Sequence, residues 1–162
     1  MFGRRQSRLL APGSRAADFR LRALQGDERS LTDLLASGPV LLAFFKVSCP
    51  VCQFTLPFLD RIHAPGRLAV WAVSQNDAAD TREFLRRYGV GVPTLLDSED
   101  GGFPASNAYG ISTVPTLFEV ERDGTIARVV EGWSRKEIEM LGRTAGVNPI
   151  QAGEKVPEWK SG

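Results

Sequence analysis

Apolar and polar positions along this chain change period several times. Residues 18–24 alternate polar with apolar side chains, the two-residue period of a strand with one exposed face. Residues 30–36 read as a short helix closed near Gly38-Pro39. Residues 40–45 are apolar without interruption, as expected of a central strand covered on both faces. From 50 to 63, Val51, Phe54, Phe58, Leu59 and Ile62 return at helical spacing, with Pro57 inside the run. Residues 68–73 form a second buried-strand signal. Residues 77–88 predict a helix that Asp77 caps, with Phe84, Leu85 and Tyr88 turned inward and Gly89 as its stop. Two further strands, 116–121 and 125–130, meet across Asp123-Gly124, a strong hairpin signal. Ser134-Arg135-Lys136-Glu137 reads as a capping box for a last helix through Ile138, Leu141 and Ala145 to Gly146. Trp71, Phe103 and Trp133 read as core or rim residues.

Alternating strands and helices closed by a hairpin and a helix predict an α/β fold. Its central mixed β-sheet is flanked by helices on both faces. The chain has 162 residues, enough for one domain with a sizeable core. That domain is expected over residues 16–146, between an N-terminal tail at 1–15 and a C-terminal tail at 147–162. The 20 Lys+Arg and 19 Asp+Glu give a net charge of +1, so no strong field recruits nucleic acid or an acidic membrane. Arg4, Arg5 and Arg8 near the start read as solvated, with no apolar run behind them to make a signal peptide. No stretch approaches the roughly 20 apolar residues of a membrane span. The expectation is a cytoplasmic monomer, or an exported one if a leader was removed.

Cys49 and Cys52 are the only cysteines, and Pro50 and Val51 separate them. They fall between a predicted buried strand and a predicted helix, where α/β proteins place their sites. Two thiols at this spacing can form and break a disulfide within one helical turn. At a helix start the unpaired N–H groups and the macrodipole favour an anion, which suits a Cys49 thiolate. Cys52, one turn inward, is more shielded. Cys-x-x-Cys also serves zinc, but zinc takes four ligands, there is no second pair, and the single histidine, His63, sits at the far end of the same helix. No metal and no cofactor are expected.

Three features together resemble the thioredoxin superfamily: Phe44-Phe45-Lys46-Val47-Ser48-Cys49-Pro50-Val51-Cys52, the distant Val114-Pro115-Thr116, and the closing hairpin and helix. Ala16-Ala17-Asp18-Phe19, Leu31-Thr32-Asp33-Leu34 and Val73-Ser74-Gln75-Asn76 resemble its TlpA/ResA-like and AhpC/TSA redoxin branch. The resemblance runs from Pro12 to Gly146. It implies a thioredoxin fold with an N-terminal strand extension and a thiol–disulfide oxidoreductase working through Cys49 and Cys52. It further implies a cis Pro115 facing the dithiol and a Val114 backbone that pairs with substrate, with Pro50 and Val51 beside it. Disulfides of proteins or small molecules would be the substrates, with a separate redox partner.

This chain also departs from the branch. Relatives carry a carboxylate where Ala43 and Thr55 stand here, and a tryptophan where Ser48 stands. The charge near the site is Lys46, a candidate for stabilising a Cys49 thiolate or else a solvated lysine at a strand end. Two alternatives remain open. A peroxiredoxin-like peroxidase needs Pro-x-x-x-Thr/Ser-x-x-Cys. Counting back gives Lys46 and Leu42 for Cys49, and Cys49 and Phe45 for Cys52, so neither cysteine fits. The other is a non-catalytic binding domain that kept the dithiol.

Overall fold

A computed structural model of the chain describes residues 8–162; Arg4 and Arg5 lie outside the described residues. The chain opens with β1 (Arg20–Ala23), β2 (Glu28–Ser30) and α1 (Leu31–Leu35), followed by β3 (Val40–Phe45) and α2 (Pro50–His63). Next come β4 (Ala69–Ser74), α3 (Ala78–Tyr88), β5 (Thr94–Leu96), a single 3₁₀ turn (Glu99–Gly101) and α4 (Pro104–Tyr109). The hairpin β6 (Thr116–Val120) and β7 (Ile126–Glu131) leads through β8 (Trp133–Ser134) to α5 (Arg135–Ala145), and β9 (Trp159–Lys160) comes last.

The main sheet has seven strands in the order β2-β1-β5-β4-β3-β6-β7. It is mixed: β3 runs parallel to β4 and β4 to β5, while β6 pairs antiparallel with β3 and β7 with β6. Side chains of β3 alternate between two apolar layers, which explains its unbroken apolar run. Leu41, Ala43 and Phe45 meet α2 through Leu56, Leu59 and Ile62, α3 through Phe84, and α5 through Ile138 and Leu141. Val40, Leu42 and Phe44 meet α1, α4 and the N-terminal strand region through Leu34, Tyr109, Phe19 and Leu21. The helices therefore cover both faces, as the pattern predicts.

Local chemistry sets the helix ends. Ser30 and Asp33 form a reciprocal capping box at α1. Asp77 caps α3 by accepting the Asp80 N–H at 2.8 Å, and Gly89 closes it in the left-handed region at φ 64°. Ser134 accepts the Glu137 N–H at 3.3 Å at the start of α5.

Six elements appear that the periodicity does not announce: β2, β5, the 3₁₀ turn, α4, β8 and β9. The segments read as tails are fastened in place. On the N-terminal side, Leu10 N–H donates to Tyr109 O at 3.1 Å, and Arg15 bridges to Thr125. On the C-terminal side, Ile150 is buried and Arg61 grips Glu154 and the Pro149 carbonyl. Trp133 Nε1–H donates to Pro157 O at 2.7 Å, and β9 pairs antiparallel with β8. Residues 147–162 thus cross from α5 over α2 and end beside the β6 loop. No described helix is long and apolar enough to cross a membrane.

Candidate active site

Cys49 is the N-cap of α2, in extended conformation at φ −87° and ψ 114°. Pro50 opens the first turn, where its missing N–H leaves nothing unpaired. The Cys49 sulfur accepts the Cys52 N–H at 3.1 Å, taking the place a serine or aspartate oxygen holds in an ordinary cap. It also lies 3.4 Å from the Val114 carbonyl oxygen, which its S–H can reach as a donor. Both thiols are free; Cys49 is half-buried and Cys52 is buried outright. Burial pushes the Cys52 thiol above the ordinary thiol range, and the neighbouring Cys49 sulfur adds to the shift. The two thiols are unequal: an accessible sulfur faces a cleft, and a shielded one stands behind it.

The loop that carries Cys49 is braced from two sides. Val47 N–H donates to Asn76 Oδ1 at 3.0 Å, and Gln53 Nε2 donates to Val47 O at 3.0 Å. The first contact holds the loop against the carboxyl end of β4, and the second ties it to α2. The Val114–Pro115 bond is cis, as the resemblance implies. Pro115 is buried, while Val114 lines a shallow cleft of about 450 Å³ together with Cys49, Pro50, Lys46 and Gln75. Val51 packs into the core on the α2 side. Lys46 stands exposed on the cleft wall and makes no ion pair among the described residues; its carbonyl accepts the Cys49 N–H at 3.3 Å. His63 is far down α2, where its Nδ1 accepts the Val70 N–H at 3.0 Å.

Sequence reasoning overlooked Gln75, Ser106 and Asp97. Asp97 is buried and accepts three hydrogen bonds: from Ala105 N–H at 2.9 Å, Ser106 N–H at 2.7 Å and Ser106 Oγ–H at 2.6 Å. Gln75 Nε2 donates to Ser106 Oγ at 2.9 Å. The available signal was a polar run, Ser74-Gln75-Asn76, straight after a buried strand, which is where such folds place ligands. It also overlooked the C-terminal segment: Gly162 lies on the cleft wall so close to the Val114 carbonyl that a β-carbon there would overlap it.

Thr55 stands three residues after Cys52 and so on the same face of α2. It is fully buried, and its hydroxyl finds no partner among the described residues. An orphaned buried hydroxyl is destabilising by about 1–3 kcal/mol. Thr55→Val keeps the shape and removes the orphan, so the reduced protein is expected to gain about 1 kcal/mol in unfolding free energy. Denaturant titration checks this; an unchanged or lowered midpoint would show that the hydroxyl is satisfied.

Residues 12–129 match the AhpC/TSA family. The chain is 30% identical over 132 residues to the thiol-disulfide oxidoreductase ResA of Geobacillus thermodenitrificans, covering 79% of this chain and 74% of that one. Among solved structures, MTB dsbF superposes with a TM-score of 0.67 at 25% identity, covering 79% of this chain and 92% of the other. A thiol:disulfide interchange protein from Bacteroides sp. superposes at 0.72 and 21% identity, covering 90% and 94%, a likeness of fold.

Proposed function

The chain belongs to the AhpC/TSA family, and from that membership and the dithiol at the α2 cap we infer that it is a thiol–disulfide oxidoreductase. The observation that carries this is the asymmetry of the pair. Cys49 presents its sulfur to the cleft, 3.4 Å from the Val114 carbonyl, while Cys52 is buried one turn behind it.

The order of events follows. The Cys49 thiolate attacks one sulfur of a substrate disulfide. A Cys49–substrate mixed disulfide forms, and the other substrate sulfur leaves as a thiolate that takes up a proton. Cys52 loses its proton and attacks the Cys49 sulfur. The Cys49–Cys52 disulfide forms and the second substrate thiol departs. The substrate disulfide is reduced by two electrons and the protein dithiol is oxidised by two, so a separate dithiol partner must reset the pair. Val114 offers its backbone, and Pro50 and Lys46 complete the wall against which the substrate lies. Disulfides on proteins or small molecules are the substrate class.

The family name also covers peroxidases. With Lys46 and Leu42 in the positions where a peroxidatic cysteine needs a hydroxyl and a proline, Cys49 lacks the groups that activate peroxide. The reduced protein is expected to catalyse insulin reduction by dithiothreitol and to react with hydrogen peroxide at the rate of an ordinary thiol. Stopped-flow kinetics and the insulin turbidity assay check both halves. Peroxide reduction at the rate of dedicated peroxidases, without insulin reduction, would replace this reading with the peroxidase. A dithiol with a measurable potential but no turnover would leave only a binding domain.

A further inference from the structure

We propose that Gln75 selects substrates carrying a main-chain amide next to the disulfide, by accepting that N–H with its side-chain oxygen. The inference rests on the disulfide-exchange reading and names the substrate class: peptide and protein disulfides in preference to small disulfides that lack an amide.

The hydrogen-bond chain behind Gln75 fixes which end of its amide is free. Ser106 has one hydroxyl proton, and it goes to Asp97 Oδ2 at 2.6 Å. Asp97 itself is buried and already accepts two backbone N–H groups at the start of α4. Ser106 Oγ therefore acts toward Gln75 only as an acceptor, and Gln75 must turn its NH₂ to it. That leaves Oε1. No donor takes this oxygen among the described residues, and it is not among their buried unpartnered polar atoms. Gln75 is half-buried and lines the cleft that holds Cys49. The Gln75 N–H bonds the Phe45 carbonyl at 3.0 Å, which anchors the residue at the end of β3, four positions before Cys49. Gln75 thus brings to the cleft of Cys49 an amide whose NH₂ is committed to Ser106 and whose oxygen is free to accept. No carboxylate side chain lines the cleft. A free amide oxygen on a residue lining the cleft of the thiol suits an extended peptide, whose N–H groups repeat along the chain.

Three probes test this: a disulfide-bonded peptide, the same peptide N-methylated in turn at the residues flanking its cysteines, and 2-hydroxyethyl disulfide. The readout is kcat/KM for each. Gln75→Leu is expected to lower the ratio of peptide to hydroxyethyl disulfide activity about five- to tenfold, the worth of one hydrogen bond, chiefly through KM. N-methylation at one flanking position should weaken the parent by a similar factor and leave Gln75→Leu indifferent. Ser106 is a positioning residue. Ser106→Ala releases the amide to turn and should lower the same ratio about two- to threefold, while Ser106→Thr retains it. An unchanged ratio in Gln75→Leu, or no N-methyl position that separates it from the parent, overturns the proposal. A parent that reduces neither disulfide would refute the exchange reading itself, and that is seen without any variant.

Discussion

Replacing Cys49 by serine reduces disulfide turnover to background, and replacing Cys52 by serine leaves a protein that captures its substrate as a stable adduct on Cys49. Both follow from the placement of the two sulfurs. Only Cys49 faces the cleft, so a substrate disulfide has no second nucleophile to meet when it is gone. Cys52 is fully buried behind the cap and reaches the mixed disulfide only from inside. The pH dependence has a definite sign. Burial holds Cys52 in the protonated form, above the ordinary thiol range, so thiolate is scarce near neutral pH. Decay of the mixed disulfide in the parent should therefore accelerate as pH rises, by about tenfold per pH unit below the pKa. No carboxylate stands at Ala43 or Thr55 to take the proton. Thr55→Glu should accelerate decay near neutral pH and flatten the profile. Mass spectrometry of the trapped adducts and single-turnover decay against pH are the measurements. Adducts on Cys52, or a parent rate independent of pH, would overturn the assignment of roles.

Trp133→Ala should lower the unfolding free energy by about 3–5 kcal/mol. Trp133 is fully buried and packs edge-on against Phe54, with ring centroids 4.7 Å apart, and against Phe58 at 4.9 Å. Its Nε1–H satisfies the Pro157 carbonyl at 2.7 Å. Truncation opens a cavity between α2 and the sheet and leaves that carbonyl without its donor. Trp133→Phe isolates the second effect: it keeps most of the ring contact, and about 1–3 kcal/mol is expected for the orphaned carbonyl. Denaturant melts of both variants, reduced, give the numbers. A Trp133→Ala loss below about 1 kcal/mol would mean that the C-terminal segment and α2 are held by other contacts.

What could be read from the sequence and what could not divides along the range of the interactions involved. The strand at Val40–Phe45 is visible because both its faces are buried, and the helix at Pro50–His63 because its apolar residues recur at the helical period. The hairpin is visible because Gly124 adopts φ 91° in a two-residue context that the sequence spells out. By contrast, β5 has three residues and exists because β4 and β1 hold it on either side. The cap of α4 comes from Asp97, several residues before the helix begins, which no local pattern displays. The tail expectation for residues 147–162 reflects their sparse apolar content; their anchors, Arg61 and Trp133, lie far back in the chain. The same holds at the site. Cys49, Cys52, Val114 and Pro115 carry a motif. Gln75 acquires its orientation only through Ser106 and Asp97, which the fold brings to it.

The contact between Gly162 and the Val114 carbonyl bears on how the protein is handled in the laboratory. Any chain joined after Gly162 begins at the rim of the cleft, within a few ångströms of the backbone that faces Cys49. A peptide purification tag placed there is tethered at high local concentration beside the thiol, and is expected to compete with substrate added from solution. Rates measured on such a fusion and on the bare chain describe two different entrances to the same dithiol.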